Sequence, residues 1–182
     1  MNTQTAKHTT TLSLEEGAEV GLSELLDSRD KRHALQMELI RQHPAETLVC
    51  LTVIMPGAIK RNEQSLIVAR AAVEAARATF GNTLKERDLQ TGYEAYWLTA
   101  LTETEAKRQA CKIEDSHPLG RLFDMDIIRH DGSPLSRQDI GAEPRRCLIC
   151  NNEARYCMRN HSHTQEELLA HINNLITRVT ER

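Results

Sequence analysis

The stretch Leu122-Phe-Asp-Met-Asp-Ile-Ile128 has the two-residue period of a β-strand. Side chains two apart on a strand share a face, so Asp124 and Asp126 project together while Phe123, Met125 and Ile127 point the other way. Setting two carboxylates side by side costs mutual repulsion and lost solvation unless a cation joins them. Hard oxygen ligands on a rigid strand suit Mg²⁺, which completes its shell with phosphate oxygens and water. A bare Asp-x-Asp is more often the solvated face of an edge strand, so the pair takes its meaning from its neighbours.

Immediately upstream runs Ser116-His-Pro-Leu-Gly-Arg121. Gly120 lets the backbone come close to a ligand. Arg121 offers a planar fork for phosphate oxygens, and Ser116 and His117 can donate hydrogen bonds. A loop of phosphate-binding donors leading into a paired-carboxylate strand is the arrangement expected of nucleotidyl transfer. There, metal ions neutralise a diphosphate leaving group and orient the attacked phosphorus. His117 is the nearest candidate for a general base, and an aspartate acting through the metal is the alternative. The competing reading of the turn is an ordinary loop built on Pro-Leu-Gly.

Working outward, helices and strands alternate. Leu22, Leu25, Leu26, Met37 and Ile40 support a helix from Leu22 to Gln42, closed by His43-Pro44. Thr47 to Met55 is β-branched and nearly continuous, as in a strand buried on both faces, and Pro56-Gly57 turns the chain. A helix is expected from Asn62 to Phe80, a strand from Gly92 to Leu101 and a short helix from Glu103 to Ile113. Beyond the aspartate strand, His130-Asp131-Gly132-Ser133 reads as a hairpin turn, with Leu135 to Ile140 returning as an edge strand. The capping box Thr164-Gln-Glu-Glu167 opens a last helix carrying Leu168, Ile172, Leu175 and Val179. This order predicts an α+β fold, a small mixed sheet with helices packed against it.

Further cations fall near this framework. The inner stripe of the first helix passes from Leu25 through Arg29 and Arg32 to Gln36, either as a phosphate wall or as side chains snorkelling at a core boundary. Lys60 follows a strand's carboxyl end, where ligands often bind, and Arg145-Arg146 stand in an irregular segment, residues 141–163. That segment also holds Cys147-x2-Cys150-x6-Cys157 followed by His163, a donor set for a tetrahedral structural Zn²⁺. Reduced structural thiols are the competing reading, and His161 competes with His163 as the fourth ligand.

At 182 residues the chain suits one domain, expected over 19–182 behind a flexible leader, 1–18. Apolar residues at 40% and charged residues at 27% indicate a globular protein, and aromatics at 3% leave the core to aliphatic side chains. A net charge of −3 and few rings argue against nucleic-acid binding. The longest apolar run, Leu48 to Met55, is far short of the roughly 20 residues of a membrane helix. An odd number of cysteines, three of them clustered, fits a cytoplasmic protein better than a disulfide framework.

The run Glu114-Asp-Ser-His-Pro-Leu-Gly-Arg-Leu-Phe-Asp-Met-Asp-Ile127, with Arg145-Arg-Cys-Leu-Ile-Cys150, resembles the apo-citrate lyase phosphoribosyl-dephospho-CoA transferases. Leu25-Leu-Asp-Ser-Arg-Asp-Lys-Arg32 with Gln36, and Pro56-Gly-Ala-Ile-Lys60, extend the resemblance over nearly the whole chain. It implies a donor, 2′-(5″-triphosphoribosyl)-3′-dephospho-CoA, and an acceptor serine on the acyl carrier (gamma) subunit of citrate lyase. The serine oxygen would attack the α-phosphorus and release diphosphate, with Asp124 and Asp126 holding Mg²⁺ and Arg121, Ser116 and His117 steadying the leaving group. Arg29, Arg32, Gln36 and Lys60 would form the phosphate wall. The same transfer onto a malonate decarboxylase carrier protein is one alternative. A zinc-dependent protein-interaction module built on residues 141–163 is another.

Overall fold

A computed structural model describes residues 16–181, so the expected leader lies almost wholly outside the described residues. Helix α1, Leu22–Gln42, precedes strand β1, Thr47–Val53, and helix α2, Glu63–Phe80. A hairpin of β2, Lys85–Leu89, and β3, Gly92–Thr99, leads to α3, Glu103–Ser116, and β4, Phe123–Ile128. Helices α4, Ala154–Arg159, and α5, Gln165–Thr180, complete the chain. The sheet order is β2-β3-β1-β4. The fold is α+β, and every strand pairing is antiparallel, so the sheet is not mixed.

The sheet is covered unequally. One face is closed by α2, α3 and α5: Val49, Leu51, Trp97, Met125 and Ile127 pack against residues such as Val68, Ala110 and Ile176. Among the described residues, the other face has only α1 as a helical cover, and its buried residues Gln36, Leu39 and Ile40 lie in its C-terminal half. They cover Leu48, Cys50, Tyr96 and Ile128. The N-terminal half of α1 leaves Leu22 73% and Leu26 49% exposed, and the sheet beside it stays open. That open end positions the site.

The structure departs from the sequence reading at four further points. Strand β2 was not foreseen, because Lys-Glu-Arg-Asp-Leu has no apolar alternation; the charges belong to an exposed edge strand. Leu135 to Ile140 does not form the edge strand. Only a single bridge joins Ile128 to Pro134 before a 3₁₀ turn at Gln138–Ile140. Pro134 lacks an N–H for a ladder, and Asp139 accepts from the Ser136 N–H at 2.8 Å, which curls the chain. Within the irregular segment, α4 is an additional short helix, and α3 runs to Ser116 rather than Ile113 before His117-Pro118 ends it.

Candidate functional site

Strand register builds the floor of the site. Thr52 of β1 lies opposite Asp124 of β4 on one side and Glu94 of β3 on the other, and Cys50 opposes Asp126. The burial of β4 alternates as the sequence predicts, with Phe123, Met125 and Ile127 in the core and the aspartates on the open face. Their side chains keep 44% and 42% of their surface accessible. The Thr52 hydroxyl donates to Asp124 Oδ2 at 3.5 Å. Burial and the neighbouring Asp124 carboxylate push the pKa of Asp126 up, with Lys107 opposing them.

Helix α3 clamps the outer edge of this strand. The Met125 N–H donates to Glu114 at 2.8 Å, and Lys107 donates to the Met125 carbonyl at 3.1 Å. The same two side chains set the charge around the pair. Lys107 Nζ lies 3.5 Å from Asp126. Glu114, only 3% exposed, holds Arg137 at 2.6 Å and Arg145 at 2.7 Å, and Arg145 reaches Asp124 at 3.4 Å. Each aspartate thus faces one cation at long ion-pair distance, which leaves oxygen lone pairs free toward the open side. Two carboxylates and a hydroxyl are hard donors suited to Mg²⁺.

Above the floor lies a cavity of about 1290 Å³. Ten of the chain's 23 Lys and Arg residues line it against five carboxylates, so a chain of net charge −3 concentrates positive charge here. Arg29 and Arg32 of α1, Lys60, Arg121, Arg145 and Arg146 all reach it. Lys60 donates to the Met55 carbonyl at 2.6 Å, and burial together with Arg29 lowers its pKa. Arg32 is 3.4 Å from the buried Glu94, which also meets Arg87 at 3.2 Å and accepts from the Tyr96 hydroxyl at 2.5 Å.

Other expected residues do different work. Arg121 donates to the carbonyls of Arg146 and Cys147, tying the irregular segment to β4; burial and Arg145 lower its pKa. Gln36 is buried outside the cavity lining and hydrogen-bonds Cys50, whose thiol burial pushes up to about 12. Ser116 is exposed and His117 lies outside the cavity lining; the His117 ring packs on Phe123 at 4.9 Å and accepts from the Leu119 N–H. Phe123 faces the core, opposite to the aspartates, which is why the histidine is not brought to them. Gly120 is buried: a Cβ there would stand 2.2 Å from the Glu114 carbonyl oxygen, so its close approach is to α3 and not to a ligand. His117, Ser116 and Gly120 therefore shape the turn, not the cavity.

Along the cavity's other wall, Cys147, Cys150, Cys157 and His163 bring four donor atoms within 4.8 Å of one another. Cys150 Sγ is 3.5 Å from Cys157 Sγ and 3.4 Å from His163 Nε2. Tetrahedral Zn–S bonds of about 2.3 Å imply donor separations of about 3.8 Å. The four could hold a metal ion, and their spacing is compatible with a structural zinc. Burial raises the Cys147 thiol, but hydrogen bonds from the Cys150 and Ile149 N–H groups outweigh it and bring it down to about 7.

Lys107, Glu114 and Arg137 escaped the sequence reading of individual roles. Glu114-x10-Met125 and Lys107-x17-Met125 contacts cross between a helix and a strand, and no local period signals them. Charged residues on the apolar stripe of a short helix, beside Ala106, Ala110 and Cys111, were the available clue.

The family described as apo-citrate lyase phosphoribosyl-dephospho-CoA transferase matches residues 20–179. Protein CitXG of Haemophilus influenzae is 36% identical over 166 residues, which is 88% of this chain and 36% of that longer protein. The chain thus spans about a third of that relative's length. A probable apo-citrate lyase phosphoribosyl-dephospho-CoA transferase of Streptococcus pyogenes is 32% identical over 167 residues, covering 88% of this chain and 87% of the relative. The Escherichia coli protein of that name is 36% identical over 166 residues, covering 88% and 90%. The chain belongs to the apo-citrate lyase phosphoribosyl-dephospho-CoA transferase family.

Proposed function

We propose that this protein transfers a phosphoribosyl-dephospho-CoA group from triphosphoribosyl-dephospho-CoA to a serine of the citrate lyase acyl carrier subunit, releasing diphosphate. The observation that carries the reading is the carboxylate pair Asp124 and Asp126 on an open sheet face, at the floor of a cavity lined mainly by cations. A triphosphate needs both: cations to bind its oxygens and hard oxygen donors for its counter-ion. Asp124 and Asp126, with the Thr52 hydroxyl alongside, would hold Mg²⁺, which supplies charge neutralisation at the reacting and departing phosphates when bound.

This chain's own residues bind and orient. Arg29 and Lys60 face the cavity without a carboxylate partner among the described residues, so they are free to take phosphate oxygens. Arg145, held by Glu114, sits beside Asp124 where charge develops on the leaving diphosphate. Arg32 and Arg146 extend the wall. The acceptor oxygen forms the new P–O bond as the α–β phosphoanhydride bond breaks. Its proton goes to a cavity carboxylate, Asp124 or Asp126, both of which keep solvent contact.

Zn²⁺ in the Cys147, Cys150, Cys157 and His163 cluster would fix the wall in place. Five unbridged cysteines suit a cytoplasmic setting. The reading is tested by mixing the protein with triphosphoribosyl donor, Mg²⁺ and either of two apo carriers, from citrate lyase or malonate decarboxylase, and weighing each carrier intact. A mass gain on the citrate lyase carrier with matching diphosphate release is expected. Gain only on the other carrier reassigns the acceptor, and gain on neither sinks the reading.

A further inference from the structure

Helix α4 carries two of the five large apolar side chains that stay exposed among the described residues, Tyr156 at 56% and Met158 at 72%. Its six residues, Ala-Arg-Tyr-Cys-Met-Arg, include no acid. Arg155 and Arg159 are exposed and have no carboxylate partner among the described residues. The element is short, yet it is firmly anchored. The Ala154 N–H donates to the Arg145 carbonyl at 2.8 Å, Glu153 bridges to Arg146, and Cys157 is buried in the metal-binding cluster.

The anchoring places this patch beside the proposed reaction site, because Ala154 bonds the backbone of Arg145, whose guanidinium reaches Asp124 at 3.4 Å, and the residues of α4 line the same cavity. Tyr, Met and Arg are the residue types enriched at the centres of protein interfaces, and unpaired arginines select an acidic counterpart. Arg155, Tyr156, Met158 and Arg159 border the cavity yet stay exposed, so they stand at its rim, where an incoming protein meets them first.

We propose that α4 is the docking element for the acceptor protein: Tyr156, Met158, Arg155 and Arg159 receive an acidic, partly apolar face of it and deliver its hydroxyl to the cavity. This rests on the transferase reading above. It also gives the metal-binding cluster a purpose, since the cluster fixes the helix that meets the partner.

The test is steady-state transfer by the full chain, with the apo citrate lyase carrier subunit and the triphosphoribosyl donor varied in turn. The wild type is compared with the Arg155→Glu/Arg159→Glu double variant and with Met158→Ser, all at exposed positions. The apparent KM for the carrier is expected to rise about tenfold or more in the charge-reversed variant and several-fold in Met158→Ser. Because Arg155 and Arg159 also border the cavity, donor KM and kcat change by a smaller factor than carrier KM, and added salt weakens the carrier interaction of the wild type and of Met158→Ser but not of the charge-reversed variant. An unchanged carrier KM overturns the proposal, and a rise in donor KM instead assigns the patch to the donor. A wild type that transfers nothing removes the transferase reading and this surface with it, whereas an active wild type with unaffected variants removes only the surface.

Discussion

Glu114 is the side chain on which the charges of the site converge. Almost fully buried, it answers two guanidinium groups and one strand N–H. Glu114→Ala leaves the Met125 N–H without its partner and the two arginines with only Asp115 and Asp124, and the expected loss is on the order of 3 kcal/mol in urea unfolding. A loss well under 1 kcal/mol would show that water or a shifted arginine replaces it. His117 has a different consequence. Burial holds its pKa below the ordinary imidazole value, so as pH falls the unfolded chain takes up the proton first. Stability is therefore full above about pH 6.5 and declines below it toward the depressed folded value. His117→Asn should flatten the decline in urea midpoint between about pH 7 and about pH 5, and an equal decline in both proteins would contradict this. At this scale the aspartate pair was legible, because a two-residue period is enough to place both side chains on one face. Ser116, His117 and Gly120 were not, because the direction of a turn depends on what it packs against, here Phe123 and the end of α3.

Strand β4 is held on one side by β1 and on the other by side chains of α3, an arrangement that satisfies its open edge without another strand. The close packing of Gly120 on Glu114 keeps the end of α3 against β4. Gly120→Ala is expected to cost about 1–3 kcal/mol through overpacking, seen as a lowered melting temperature. A neutral result would mean that the end of α3 yields. The long helices and the central strands could be read from sequence because their apolar periods are strong and their caps explicit. Asn62, Thr102 and Thr164 each accept a backbone N–H at a helix start. Strand β2 could not, since an exposed edge is charged by necessity. Helix α4 could not either, because its six residues owe their shape to hydrogen bonds and the Cys/His cluster rather than to an apolar stripe.

Across the whole molecule, one covered and one half-covered sheet face divide stability from function. Three helices close the core on one side, and the short reach of α1 over the other leaves room for a cavity with the carboxylates at its floor. The concentration of cations there could not be read from a net charge of −3, because it arises from residues far apart in sequence. The Cys/His segment forms one wall. The purified protein is expected to carry about one zinc per chain, and chelation or Cys150→Ser should lower its melting temperature, with metal content read by elemental analysis. A zinc-free protein of unchanged stability would reduce the cluster to packed thiols. No described helix is long and apolar enough to cross a membrane. The central claim is that Asp124 and Asp126 together hold the Mg²⁺ that meets the reacting phosphates. It is tested most directly by intact-mass measurement of the citrate lyase carrier after incubation with donor, Mg²⁺ and either wild type, Asp124→Asn or Asp126→Asn. The wild type should add the prosthetic group in a Mg²⁺-dependent manner, and each folded variant should be slower by about 100-fold or more. Variants that transfer at near wild-type rates would contradict the claim and move the chemistry away from this strand.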